Sequence, residues 1–119
     1  MLRRLVQAAL VFVLLGGVAG PRALVRGRTV WLDGAAAWHG AVTSPLVWSA
    51  DSGAVAFTGR DARGRAALVV LLPGPQALSW PIPASAQPAR AVTWLGPTKI
   101  GAGPSVLEPR VIASFTVER

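Results

Sequence analysis

The 119-residue chain contains no cysteine. Disulfides, thiolate metal sites and thiol catalysis are therefore excluded in any compartment, and so is a lipid-modified cysteine. Acidic residues are scarce: Asp33, Asp51, Asp61, Glu108 and Glu118 are the whole set. Asp33 precedes Gly34, Asp51 stands two before Gly53, and Asp61 lies in an arginine-rich turn. Each aspartate reads as turn chemistry rather than as half of a catalytic carboxylate pair. His39 is the single histidine, and it has too few partner ligands for a metal. A Ser-His-Asp set can be written from Ser49 or Ser52 with Asp51 or Asp33, but no G-x-S-x-G elbow surrounds these serines. There is no P-loop, dinucleotide fingerprint or EF-hand loop. The glycine-rich GAGPS at 101–105 runs into Val-Leu-Glu-Pro rather than a helix. The expectation is a non-enzymatic protein with no cofactor and no metal.

What is present is apolar and basic. Hydrophobic residues make up 52% of the chain, charged residues only 14%, and the formal net charge is +7. Eleven of the twelve basic residues are arginine; Lys99 is the exception. Two clusters stand out. Arg60, Arg63 and Arg65 share the turn RDARGR, and Arg22, Arg26 and Arg28 share a linker after the apolar N-terminus. Either suits an anionic surface such as lipid head groups. Nucleic acid is not expected, because aromatic residues do not interleave with these arginines.

MLRRLVQAALVFVLLGGVAG has the parts of an export signal. Arg3 and Arg4 give a positive start, Leu5 to Leu15 is apolar apart from Gln7, and small residues follow. A cut after Ala19 leaves Gly17 and Ala19 at the two small-residue positions. The run is short of the about 20 residues a helix needs to span a bilayer, yet it could anchor uncleaved. Residues 1–20 are thus expected to form an apolar helix, as signal peptide or membrane anchor. The product is expected to be exported, periplasmic or extracellular, or anchored in the inner membrane facing outward.

Residues 21–119 read as one β domain. Thirteen glycines and ten prolines punctuate the chain, and the apolar runs between them are rich in β-branched and aromatic residues. About nine short antiparallel strands are expected: 28–33, 36–42, 46–49, 54–59, 66–72, 77–81, 91–95, 99–103 and 111–118. Asp51-Ser52-Gly53 is a turn in which Asp51 accepts backbone N–H groups and Gly53 supplies positive φ. The candidate core is Trp48, Val55, Phe57, Val69, Leu71, Trp94, Ile100 and Phe115.

The stretch PLVWSADSGAVAF, residues 45–57, resembles the repeat of TolB-type, WD-like β-propellers, P-x-W-S-P-D-G-x-x-I-A-F. The match lies at Pro45, Trp48, Ser49, Asp51, Ala56 and Phe57. Ala50 replaces a proline, and an extra serine, Ser52, precedes Gly53. Residues 29–42 resemble the third and fourth strands of a preceding blade. AVTWLGPTKIGAG, residues 91–103, resembles a further first and second strand whose turn has lost its aspartate. Trp48 and Trp94 are 46 residues apart, close to the about 40–45-residue period of a four-stranded blade. The structural motif is carried by Trp48, Asp51, Gly53, Phe57 and Trp94. Such propellers close with about four to eight blades, and this chain holds about two. Three outcomes are open: several chains complete a ring, the strands close as a compact sandwich, or the chain is a remnant of a longer propeller.

The resemblance implies an exported or membrane-tethered, propeller-like interaction module of a bacterial envelope, with a protein partner and a possible homo-oligomer. The alternatives are an accessory or truncated propeller of an exported peptidase or hydrolase system, or a degenerate remnant.

Overall fold

A computed structural model of the chain describes residues 23–74 and 76–116. The apolar N-terminal helix expected over residues 1–20 lies outside the described residues. Among those described, no helix is long and apolar enough to cross a membrane.

The domain is all-β, with three small antiparallel sheets and one 3-10 turn at Ala84–Ala86. The first sheet is the meander β1 (Ala23–Arg26), β2 (Thr29–Leu32) and β3 (Ala35–His39). The middle sheet runs β6 (Val55–Arg60), β7 (Ala66–Leu72), β8 (Gln76–Pro81). Two short strands, β4 (Ala41–Val42) and β5 (Val47–Trp48), lie along the free edge of β6. The last sheet is β9 (Ala91–Gly96), β10 (Lys99–Gly103) and β11 (Val111–Ser114).

The described residues thus form eleven strands where nine were expected. Ala23–Arg26 is a strand rather than part of a linker, because Gly27, at φ 62°, lets the chain reverse and pair Arg26 with Thr29. The run 36–42 breaks in two at Gly40. There the backbone approaches so closely that an added Cβ would meet the Arg60 carbonyl. The final strand stops at Ser114; Phe115 is no longer in the sheet, and its N–H donates to the Thr98 carbonyl at 3.0 Å.

The sheets stack in three layers. β6 and β7 read as near-continuous apolar runs because both of their faces are covered, as uninterrupted hydrophobicity in a strand indicates. One face, with Val55, Phe57, Val69 and Leu71, packs on Val30 and Leu32 of the first sheet. The other, with Ala56, Leu68 and Val70, packs on Val92, Ile100 and Ala102 of the last sheet. Phe57, Leu68, Leu71, Val55, Val69 and Val70 are fully buried. Each large one stabilises the fold by about 1.5–3 kcal/mol, so the middle sheet anchors both neighbours. The flanking sheets have one covered face each. On the outward side Leu24, Leu95 and Ile112 stay 51%, 46% and 55% exposed.

Of the expected core, Val55, Phe57, Val69, Leu71 and Ile100 have no exposed surface. Trp48, Trp94 and Phe115 are half-buried at the margins. Their indoles and ring seal cluster edges and leave part of each aromatic to solvent.

Candidate functional site

The two tryptophans of the repeated phrase hold matching places. Trp48 pairs with Val55 across β5 and β6, and Trp94 pairs with Ile100 across β9 and β10. The match survives although the second turn is one residue shorter. Trp48 packs on the cluster between the first and middle sheets, and Trp94 on the cluster between the middle and last sheets. Each therefore faces the preceding sheet, Trp48 from β5 and Trp94 from β9. Trp94 also sits edge-on to Phe115, with ring centroids 6.2 Å apart.

The turn after Trp48 is a closed hydrogen-bond circuit. The Ser49 hydroxyl donates to Asp51 Oδ1 at 2.7 Å, and the Gly53 N–H donates to the same oxygen at 2.9 Å. The Ala54 N–H donates to Ser49 Oγ at 3.1 Å. Asp51 thus does the turn work its position implies. Gly53 does not: the left-handed residue is Ser52, at φ 60°. The extra serine displaces the glycine from the position that needs it. Ser49 and Asp51 belong to this turn on the middle sheet. His39 ends β3 on the first sheet, with Nδ1 3.2 Å from Thr29 Oγ1.

The arginine-rich tip joins β6 to β7 and is organised by Asp61. Asp61 Oδ1 accepts the N–H groups of Arg63 and Arg65, both at 2.9 Å. The Arg65 Nε lies 3.5 Å from Oδ2. The Asp61 carboxyl is held below its ordinary 3.8, first by the Arg65 N–H. Partial desolvation opposes this, while the Arg63 N–H and the Arg65 guanidinium add to it. Gly64, at φ 78°, turns the chain back.

The three tip arginines do not act together. Arg65 is engaged with Asp61, and Arg63 points from the apex with no side-chain partner among the described residues. Arg60 turns away. Its Nη1 donates to the Gly64 carbonyl at 3.0 Å, and its Nη2 reaches Gln87 Oε1 at 3.4 Å on the crossing to the last sheet. Of the linker cluster, Arg26 and Arg28 flank the Gly27 turn, and Arg22 lies outside the described residues.

Arg60 there lines a cleft of about 240 Å³ where the middle sheet meets the segment leading to β9. Thr43, Thr58, Ile82, Ala89 and Arg90 share the lining. The Thr58 hydroxyl, buried, donates to the Ala89 carbonyl at 3.0 Å, so it accepts from the Thr43 hydroxyl at 2.8 Å. This hydroxyl chain pins the crossing segment against β6. Sequence reading did not single out Thr43, Thr58 or Arg90. A threonine inside the apolar run of β6 was the available signal, since a buried hydroxyl needs a partner.

Compared with known proteins, the chain matches no family model, no curated protein and no solved structure.

Proposed function

We propose that the chain is a non-enzymatic interaction module of the bacterial envelope, a piece of TolB-like propeller whose blades bind further blades or a protein partner. One observation carries the reading: the repeated placement of Trp48 and Trp94, each turned to the preceding sheet of a three-sheet stack. A stack built by one rule can be continued. Among the described residues its two outer faces are open and carry exposed apolar residues, Leu24 on one side and Leu95 and Ile112 on the other. Exposed apolar surface of this kind marks contact sites. Export rests on the signal-like residues 1–20.

Light scattering on the full chain, in detergent if residues 1–20 require it, gives the first test. A discrete oligomer that Ile112→Glu returns to monomer supports stacking between chains. In a monomer, a photo-crosslinker at Leu95 or Ile112 should capture a defined partner in the envelope while one at Arg63 does not. A monomer with no site-dependent adduct overturns the reading.

A further inference from the structure

We infer that the cleft between the middle sheet and the β9 crossing is a binding site for a phosphate group, held between Arg60 and Arg90. Both arginines line it, and no carboxylate does among the described residues. The Arg60 guanidinium meets neutral acceptors only, the Gly64 carbonyl and Gln87 Oε1 beside the cleft. Gln87 is itself fixed, since its Nε2 donates to the Ile82 carbonyl at 3.1 Å. Arg90 is positioned through its backbone, whose N–H donates to Gly103 at 2.8 Å. Its guanidinium has no partner among the described residues. Two cationic groups at one cleft repel each other unless an anion lies between them. The chain's use of Asp61 sharpens the contrast. At the tip a carboxylate sits against Arg65, whereas the cleft is lined by two arginines and, among the described residues, no carboxylate.

Arginine donors in a planar fork match phosphate oxygens bidentately. The Thr43 and Thr58 hydroxyls are spent on one another and on Ala89. The guanidiniums are thus the side-chain donors left for the ligand, which favours a doubly charged phosphate over a neutral sugar or alcohol. Ile82, buried, adds an apolar residue to the lining. The same chemistry is offered by a soluble phosphate ester and by a lipid head group.

The site is tested on the full chain with two probes, pyrophosphate and vesicles containing phosphatidylglycerol. Amide shifts of Thr58, Gly59 and Arg90 report pyrophosphate, and co-sedimentation reports vesicles. Saturable pyrophosphate binding that weakens at least tenfold in both Arg60→Gln and Arg90→Gln, but not in Arg63→Gln, supports a soluble phosphate ligand. The same pattern with vesicles alone supports a lipid head group. Absence of saturable binding to either probe overturns the site. So does an equal loss in Arg63→Gln, which would mean that net charge alone attracts the anion. If Arg60→Gln fails to fold, Arg90→Gln decides, because its guanidinium holds no structural contact. The outcome is independent of the stacking reading, since none of these residues lies on the outer sheet faces.

Discussion

The indole N–H of Trp94 donates to the Val47 carbonyl at 2.9 Å. This bond joins β9 of the last sheet to β5 of the middle one. Val47 stands directly before Trp48, so one repeated tryptophan reads the backbone beside the other. Trp94→Phe keeps most of the ring and removes the donor, and should cost about 0.5–1.5 kcal/mol. Trp94→Ala also opens the contact with Phe115 and should cost about 3 kcal/mol. Urea unfolding followed by circular dichroism separates the two. Wild-type stability in Trp94→Phe would show that the bond contributes nothing.

Gly59 is required by the Trp38 ring. A Cβ at Gly59 would stand 2.6 Å from the indole and 2.8 Å from the Ala41 carbonyl. The ring is held in turn edge-on to Phe57, with centroids 5.2 Å apart. Gly59→Ala should therefore destabilise by about 1–3 kcal/mol through overpacking. Trp38→Leu in the same chain should recover part of that loss, because the two changes share one contact. The Ala41 backbone cannot be relieved this way, so full recovery is not expected. Strict additivity in thermal unfolding would remove the explanation.

The sequence made some of these elements plain and concealed others for physical reasons. Ala66–Leu72 and Lys99–Gly103 are bounded as expected because each is a continuous strand between turn residues. Ala23–Arg26 was hidden because it is mostly exposed and ends in arginine. It becomes a strand through its pairing with β2, a property of two segments and not of one. The cleft was hidden for a similar reason. Arg60 was visible as a member of a charged turn, but Arg90 stands alone 30 residues later. They share a cleft because the segment before β9 crosses against β6. The core was the most legible part, since fully covered strands announce themselves by lacking polar alternation.

The hairpin tip should respond to acid through Asp61. Its carboxyl is depressed in the folded protein, so ionisation favours folding. The contribution is complete above the carboxyl's unfolded value and fades as pH falls through the lower folded one. An NMR titration should place Asp61 below 3.8, its ordinary value, with the Gly64 amide shifting in step. Asp61→Asn should abolish that titration and flatten the matching part of the stability profile. An Asp61 titrating at its ordinary value would contradict the role given to the Arg65 N–H.

Ser52 offers a site where stability can be gained. It occupies the left-handed region at φ 60° without being glycine. Such a residue carries strain of about 1–3 kcal/mol. The turn tolerates it because Asp51 and Ser49 fix the backbone around it, and the Ser52 N–H donates to the Ser49 carbonyl at 2.9 Å. Ser52→Gly removes the clash but adds freedom to the unfolded chain, which offsets part of the gain. The net expectation is stabilisation of about 0.5–1 kcal/mol. Gly53→Ala is the informative partner. Gly53 is not at positive φ, but its Cβ would lie 3.1 Å from Asp51 Oδ1. The carboxylate can shift a few tenths of an ångström, so the cost should stay near 1 kcal/mol. Measured by thermal unfolding, the two changes should move stability in opposite directions. A loss in Ser52→Gly together with a much larger loss in Gly53→Ala would return the left-handed position to Gly53, where the turn chemistry of Asp51-Ser52-Gly53 first suggested it.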